Sequence, residues 1–473
     1  MSLTAAFNTA KNSLNNTSTQ LSTSARNIAG AGDTTYSRKN ATLVTGVDGS
    51  TSVTVSRATD AALFAKMLAA TSSSAEQSAL LTGLTTLAST VGDTEDDASV
   101  AAKLTAFNTA LDTYANAPDD NTLAQAAITA AEDLATALNT STQTVQKVRQ
   151  DADASIGTAV TTVNDLLKQF QTLNDTVVSG TVKGLDVTDA LDQRDAVLAQ
   201  LSEQMGITAV TRSNNDVAIY TDSGVTLFDK SPREVSFTTT AAYDGTVTGN
   251  AVFVDGVAVT GANAAMPLQS GAIAGLAELR DVVTVTYQDQ LDEVARALID
   301  AFSEGTTSGL FTNGSNTAVP TTLTKNLAAT ISINSAAVAA EGGSPLVLRD
   351  GISVDYNTDD AASYSGRLTA LQTALNAQRS YSGTTSLTNN VSLASFASNS
   401  VSWLEGMRKN TNTLAESQAT VLSQASTALS NATGVNTDQE YALQLELERS
   451  YQGASKLLGV VQSLYDSLFA VIK

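Results

Sequence analysis

Apolar residues recur every seventh position near the start of the chain, at Phe7, Leu14, Leu21 and Ile28, with Leu3 one turn earlier. Near the end, Leu443, Leu447, Leu457, Val461, Leu464, Leu468 and Val471 fall on steps of three and four or their sums, with Tyr451 and Ala454 on the same stretch. Each terminus therefore encodes an amphipathic helix with a coiled-coil seam. The polar run Asn12–Thr19 is a poor helix former. A few buried side chains do not offset the entropy of ordering a helix of this length. Both ends are therefore expected to be disordered in the monomer and to fold against partners.

Between the termini the period changes several times. The first helix breaks at Gly30-Ala31-Gly32-Asp33, and an alternating stretch to Val55 reads as extended. Helical patterning runs from Asp60 to about Asn139 with interruptions at Gly92–Asp97 and Pro118–Asp120, and a long helix then runs to Val178. After Gly206 alternation takes over, with Asp222-Ser223-Gly224 as a turn and Asp255-Gly256 as a two-residue hairpin. Helix returns around Leu291, Val294, Leu298 and Phe302, gives way to an irregular strand-bearing stretch with Asp350-Gly351 as a turn, and resumes at Arg367 as far as Leu429.

The fold class read from this order is mainly α with β-rich insertions, a long helical bundle or coiled coil carrying projecting β modules. Four parts are expected. Residues 1–59 with 431–473 form a terminal coiled-coil domain, and 60–205 with 268–304 and 366–430 form a helical bundle. Residues 206–267 make a β-rich module and 305–365 an outer β-containing insertion.

Charge and composition narrow the function. Residues 1–60 carry a small positive balance and the stretch from Asn431 a small negative one, which favours pairing of the two ends. The whole chain stands at −21, which disfavours nucleic acid. Cysteine and histidine are absent, which removes disulfides, thiolate and imidazole catalysis and the usual zinc ligands. The start, Met1-Ser2-Leu3-Thr4, lacks the charged and apolar regions of a cleaved signal peptide, and no run is long enough to span a membrane.

Several motifs point to one family. Asn27-Ile28-Ala29 followed by Tyr36-Ser37-Arg38 resembles the N-terminal signature of flagellar rod, hook and hook-associated proteins. Val163-Asn164-Asp165-Leu166 with Leu173-Asn174, then Asp189–Asp195 with Leu198 and Leu201, is similar to the segment typical of the hook-associated protein 1 (FlgK) family. Gly271–Leu276, Arg280-Asp281 and Leu291-Asp292 follow in family order, and Gly434-Val435-Asn436, Tyr451-Gln452 and Ala454 match its closing helix. Gly30, Asp33, Thr35 and Glu448 depart from the family's usual residues, and the chain is short for it.

The resemblance implies a structural subunit of the bacterial flagellum, exported through its type III apparatus and assembled at the distal end of the hook. It further implies a tubular homo-oligomer with hook protein on one side and a further junction protein on the other, the terminal helices lining the inner tube. An export chaperone is expected on the apolar C-terminal helix. Another axial protein, a hook protein or flagellin, and a secreted adhesin with a helical stalk are the alternatives. No enzyme, metal, cofactor, nucleic-acid or membrane role is expected.

The residues expected at subunit contacts are Leu3, Phe7, Leu14, Leu21, Asn27, Ile28, Tyr36, Ser37, Arg38, Leu443, Leu447, Tyr451, Ala454, Leu457, Val461, Leu464 and Leu468. Asn27 could equally cap the first helix. Asp192, Arg194, Asp195, Arg280 and Asp281 read as structural ion pairs rather than catalytic groups, because no nucleophile or tuned base accompanies them. Gly30-Ala31-Gly32 follows a helix and lacks the rest of a phosphate loop, so it reads as a helix stop. The acidic run Asp93–Asp97 lacks calcium-loop spacing and reads as a solvated loop. Trp403, beside Leu404, is expected in the bundle.

Overall fold

The computed structural model describes residues 3–46, 50–91, 97–314 and 317–472. Helix α1 (Leu3–Gly30) is followed by an antiparallel hairpin, β1 (Lys39–Thr45) and β2 (Thr51–Arg57), in which Lys39 faces Arg57 and Thr45 faces Thr51. Three helices come next: α2 (Ala61–Val91), α3 (Val100–Asn116) and α4 (Asn121–Val182). Their starts follow local chemistry. Asp60 accepts from the amides of Ala62 and Leu63, Ser99 from Ala102, and Asp120 from Thr122 and Leu123, each an N-cap.

The sequence reading divided the region near Asn139, but α4 runs through it as one helix of 62 residues. No glycine or proline interrupts there, and the apolar stripe continues through Leu134, Leu138, Val145 and Val148. Asn139 instead donates to the carbonyls of Ala328 and Ile331.

After α4 come α5 (Thr188–Gln204) and an antiparallel sheet of β3 (Ile207–Thr211), β4 (Val217–Thr221), β5 (Thr226–Asp229) and β6 (Ser231–Pro232). Then follow β7 (Val235–Ser236), β8 (Phe253–Val254) and β9 (Val257–Ala258). Strands β8 and β9 pair across Asp255-Gly256, both at positive φ (49° and 79°), as a two-residue hairpin turn requires.

Helix α6 (Ala272–Glu278) passes through a π turn at Leu279–Val283 into α7 (Thr284–Ala301). The second insertion holds β10 (Phe311–Asn313), α8 (Leu327–Thr330), β11 (Ile331–Ile333) and α9 (Val347–Asp350), with β10 and β11 paired antiparallel. Helix α10 (Gly366–Asn376), the short pair β12 (Gln378–Arg379) and β13 (Val391–Ser392), α11 (Leu393–Thr433) and α12 (Thr437–Ile472) complete the chain.

The chain forms two compact units. Unit 1 comprises 1–74, 162–235 and 418–473, so both termini fall in it. Its globular core lies where α4 and α5 pack on the β3–β6 sheet, with Phe170 edge-on to Phe228 at 5.0 Å and Val163, Leu167, Leu198, Leu201 and Ile219 buried around them. Unit 2 comprises 75–161 and 236–417. Its core is built around α7, almost every residue of which is buried. Phe107, Phe302 and Phe311 form an aromatic triad with centroids 5.2–5.6 Å apart. Trp403 stacks parallel to Tyr287 at 6.5 Å, beside buried Leu404.

Candidate assembly interface

In unit 1, α1 and α12 pack antiparallel. Thr4 Oγ1 lies 3.1 Å from the Tyr465 hydroxyl, and Ser24 Oγ donates to the carbonyl of Glu440 at 3.3 Å. The residues buried between them keep a strict seven-residue step, Ala10, Thr17 and Ser24 on α1 and Glu440, Leu447, Ala454 and Val461 on α12.

Within one copy, the seam residues read from the sequence fall into two groups. Leu447, Ala454 and Val461 lie in the seam, but Leu3, Phe7, Leu14, Leu21 and Ile28 sit half-buried at its margin. Leu443, Tyr451, Leu457, Leu464 and Leu468 remain 37–60% exposed. Two helices approach most closely where their side chains are smallest, and a reading by hydrophobicity selects the largest. Leu443, Leu457, Leu464 and Leu468 are left as an outward apolar row on α12, joined by Val460, while Tyr451 and Phe469 are exposed on the opposite flank of the seam. The side chain of Val471 lies outside the described residues.

The hairpin is held to α1 by side-chain amides. Asn27, only 1% exposed, accepts from the amide of Lys39 and donates to its carbonyl, both at 2.8 Å. Asn27 thus pairs with β1 as a strand residue would. It also accepts from the Tyr36 hydroxyl at 2.9 Å, so it neither caps α1 nor faces outward. Gln20 donates to the carbonyl of Ala41 and Asn16 to that of Thr51, so α1 crosses the hairpin from the β1 edge to the β2 edge.

The Tyr36–Arg38 segment turns inward as well. Burial raises the Tyr36 phenol to about 12, and the ring lies 4.1 Å below Lys39 Nζ. The Ser37 amide donates to Asp192. Arg38 pairs with the buried Glu440 at 2.7 Å while its amide donates to the carbonyl of Thr433. These three residues join the hairpin to α5, α11 and α12 of the same chain, where the sequence reading expected contact with neighbours. Gly30 packs beneath Tyr36, where an added Cβ would meet ring carbon Cγ at 2.6 Å, so the glycine serves helix termination and close packing.

Beneath the hairpin lies a charge cluster that the sequence reading half recognised. Asp192 pairs with Lys39 and, at 3.1 Å, with Arg57, and Arg57 reaches Asp195 at 2.6 Å. Burial pushes the Asp195 carboxyl above its ordinary value, against the pull of Arg57. Arg194 does not bridge its two neighbours in sequence. Residues one and two apart on a helix point different ways. It donates instead to Asn174 Oδ1 at 2.9 Å and to the carbonyl of Asn215, and burial lowers its guanidinium to about 10. The partners Lys39 and Arg57 were missed because they lie some 135 residues and more from α5. Their only signal was two cations, one at each end of the hairpin.

In unit 2, Arg280 is fully buried and pairs with Asp153 at 2.6 Å and Asp281 at 2.8 Å, and it donates to the carbonyl of Asn250. Arg149 donates to the carbonyls of Asp244 and Val247. The two arginines pin the 244–250 stretch onto α4. A Cβ on Gly249 would lie 2.5 Å from the Arg280 guanidinium, so the close approach demands glycine.

Among the described residues no three acidic, histidine or cysteine side chains converge as metal ligands, and no helix is long and apolar enough to cross a membrane. The acidic run 93–96 lies outside the described residues.

Comparison with known proteins agrees on one family. Residues 84–319, about half of the chain, match the model for the flagellar hook-associated protein FlgK helical domain. Flagellar hook-associated protein 1 of Salmonella typhimurium is 27% identical over 207 residues, 43% of this chain and 37% of that protein. The Escherichia coli K12 protein of the same name is 25% identical over 208 residues, with the same coverage. The match thus spans little more than a third of these relatives' length. The solved structure of the flagellar hook junction protein FlgK from Burkholderia pseudomallei shares the fold, with a TM-score of 0.59 at 14% identity, over 77% of this chain and 99% of that one. The chain belongs to the FlgK family of flagellar hook-associated proteins.

Proposed function

We propose that this protein is a non-enzymatic structural subunit of the bacterial flagellum that joins hook to filament, working outside the cell after export. The observation that carries the reading is the unpartnered apolar row of α12, Leu443, Leu457, Leu464 and Leu468, beside a helix pair that buries mainly small residues. Exposed apolar surface of this extent on a helix marks a contact with another protein. The relatives' name supports hook protein as one neighbour along the axis; a further junction protein on the other side and further copies of this chain around it complete the reading. The same row, before assembly, is the natural surface for an export chaperone. Unit 2 carries no share of this row.

The test is complementation of a strain lacking its hook-associated protein 1 with the full chain and with Leu21→Asp/Leu464→Asp. The parent chain should appear at the hook tip and restore filaments. The variant should be exported and folded yet absent from the tip. Wild-type motility of the variant would refute the mechanism.

A further inference from the structure

The hairpin leaves two strand edges open, and they complement each other. The bonds from Ala58 to Arg38 and from Gly46 to Ser50 fix the ladder so that even-numbered residues pair across the strands. The odd-numbered residues therefore turn their N–H and C=O groups outward. On β1, Lys39 spends both on Asn27 and Ala41 its carbonyl on Gln20, and on β2 Thr51 spends its carbonyl on Asn16. Because α1 crosses diagonally, Leu43 at the far end of β1 and Val53 and Val55 on β2 keep outward groups with no protein partner among the described residues.

Each open edge has its own surroundings. At the far end of β1, Leu43 and Val44 stand 56% and 48% exposed. The β2 edge instead forms one wall of a groove of about 640 Å³, closed by α1 at Ser22 and Arg26 and by the α4–α5 turn at Leu185. Leu185 stands exposed in that groove beside Val187, among serines and threonines. An edge with free backbone groups selects an extended chain, and a neutral apolar one suits Val53–Val55.

We infer that the β2 groove takes the Leu43–Thr45 edge of a second copy, so that hairpins of successive copies join edge to edge in a head-to-tail contact. A two-stranded hairpin is marginal alone, and a neighbour's strand completes it. The same chain supplies both halves, as a heterologous, propagating contact requires. The contact concerns copy-to-copy association of the purified chain, so it stands or falls separately from placement at the hook.

Because the chain has no cysteine, single variants Leu43→Cys and Val53→Cys report the contact directly. Within one copy these positions face each other, so they must be carried on separate chains. The two full-length variants are mixed at up to about 1 mM, a range that captures weak contacts, and oxidised. The expected product is the disulfide-linked heterodimer of the two variants, several-fold over either homodimer and lost when the Leu43→Cys partner also carries Val44→Asp. Equal amounts of all three dimers, a dominant homodimer of the Leu43→Cys variant, or no dimer at all would each overturn the contact. Circular dichroism of each variant, unchanged from the parent, excludes misfolding as the cause.

Discussion

Asn27 replaces a strand with one side chain, and the energetics follow from what is left behind when it goes. Asn27→Ala strands a buried N–H and C=O of Lys39 and frees the Tyr36 hydroxyl. At about 1–3 kcal/mol for each stranded buried group, unit 1 should lose about 3 kcal/mol, read as a lower urea midpoint with unchanged slope. Asn27→Asp keeps the acceptor and should lose about half of that. In the charge cluster, Asp192→Ala leaves buried Lys39 with only the exposed Asp189 carboxylate at 3.6 Å and Arg57 with Asp195, and should cost about 3–5 kcal/mol. Removing Lys39 as well, in Lys39→Met/Asp192→Leu, leaves the Arg57–Asp195 pair intact and should cost less than the single change. A double variant as unstable as the single one would mean that shape, not charge balance, governs the site. Glu304 in unit 2 provides a pH test. Burial alone would raise its carboxyl, but the amides of Ile352, Ser353 and Val354 and the Ser353 hydroxyl all donate to it and hold it below its ordinary value. A depressed carboxyl contributes stability that is fully present above the unfolded value of about 4.3 and lost as pH falls through the folded value. The stability gap between the parent chain and Glu304→Gln should therefore be constant near neutrality and close in the acid range. A gap that persists unchanged to the most acid pH at which the chain folds would contradict this.

Helices were legible along the chain because their patterning is periodic and their breaks are chemical. Asp60, Ser99 and Asp120 begin helices as caps, and Asp255-Gly256 makes its hairpin because both residues tolerate positive φ. What stayed hidden was which face meets which. Ala10, Thr17 and Ser24 carry no hydrophobic signal, yet their smallness sets the closest approach of α1 and α12. Likewise Asn16 reads as part of a poor helix run and Asn27 as a cap or a subunit contact, when their amides, with that of Gln20, complete the edges of a sheet that forms only in three dimensions. The distinction is testable within α12. Val461→Asp, at a 4% exposed seam position, should strip α12 from α1 and lower the helical signal, while Leu464→Asp, one turn on and 51% exposed, should leave the isolated chain as stable as its parent. Equal losses from both would mean that the row is already covered within one copy. In unit 2, α6 crosses α2 where an added Cβ on Gly275 would lie 2.3 Å from the carbonyl oxygen of Glu76. A backbone oxygen cannot turn aside, so Gly275→Ala should destabilise unit 2 by about 1–3 kcal/mol despite the alanine's better helix propensity.

At the scale of the whole chain, two kinds of burial divide the labour. Unit 2 closes a dense core around α7 and its aromatic triad, and the 162–235 part of unit 1 closes a second around Phe170 and Phe228. The terminal helices have neither. Their seam buries Leu447 and Val461 but otherwise alanine, threonine, serine and the glutamate that Arg38 neutralises, so little apolar area opposes the entropy of ordering α12. Helix α1 is better placed, since Asn16, Gln20 and Asn27 bind it to the hairpin and the hairpin is bound to α5 by Lys39 and Arg57. The two ends should therefore come loose in order. Chymotrypsin, which cuts at large apolar residues, should first trim α12 at its exposed Leu457, Leu464 and Phe469, then release α1, and leave a core reaching from the hairpin to α11. Hydrogen exchange on the intact monomer should show the same ranking, with amides of α12 least protected, α1 intermediate and α7 most protected. Termini that resist the protease as long as α7 does would mean the seam is satisfied within one copy, and the outward row of α12 would then need an explanation other than assembly.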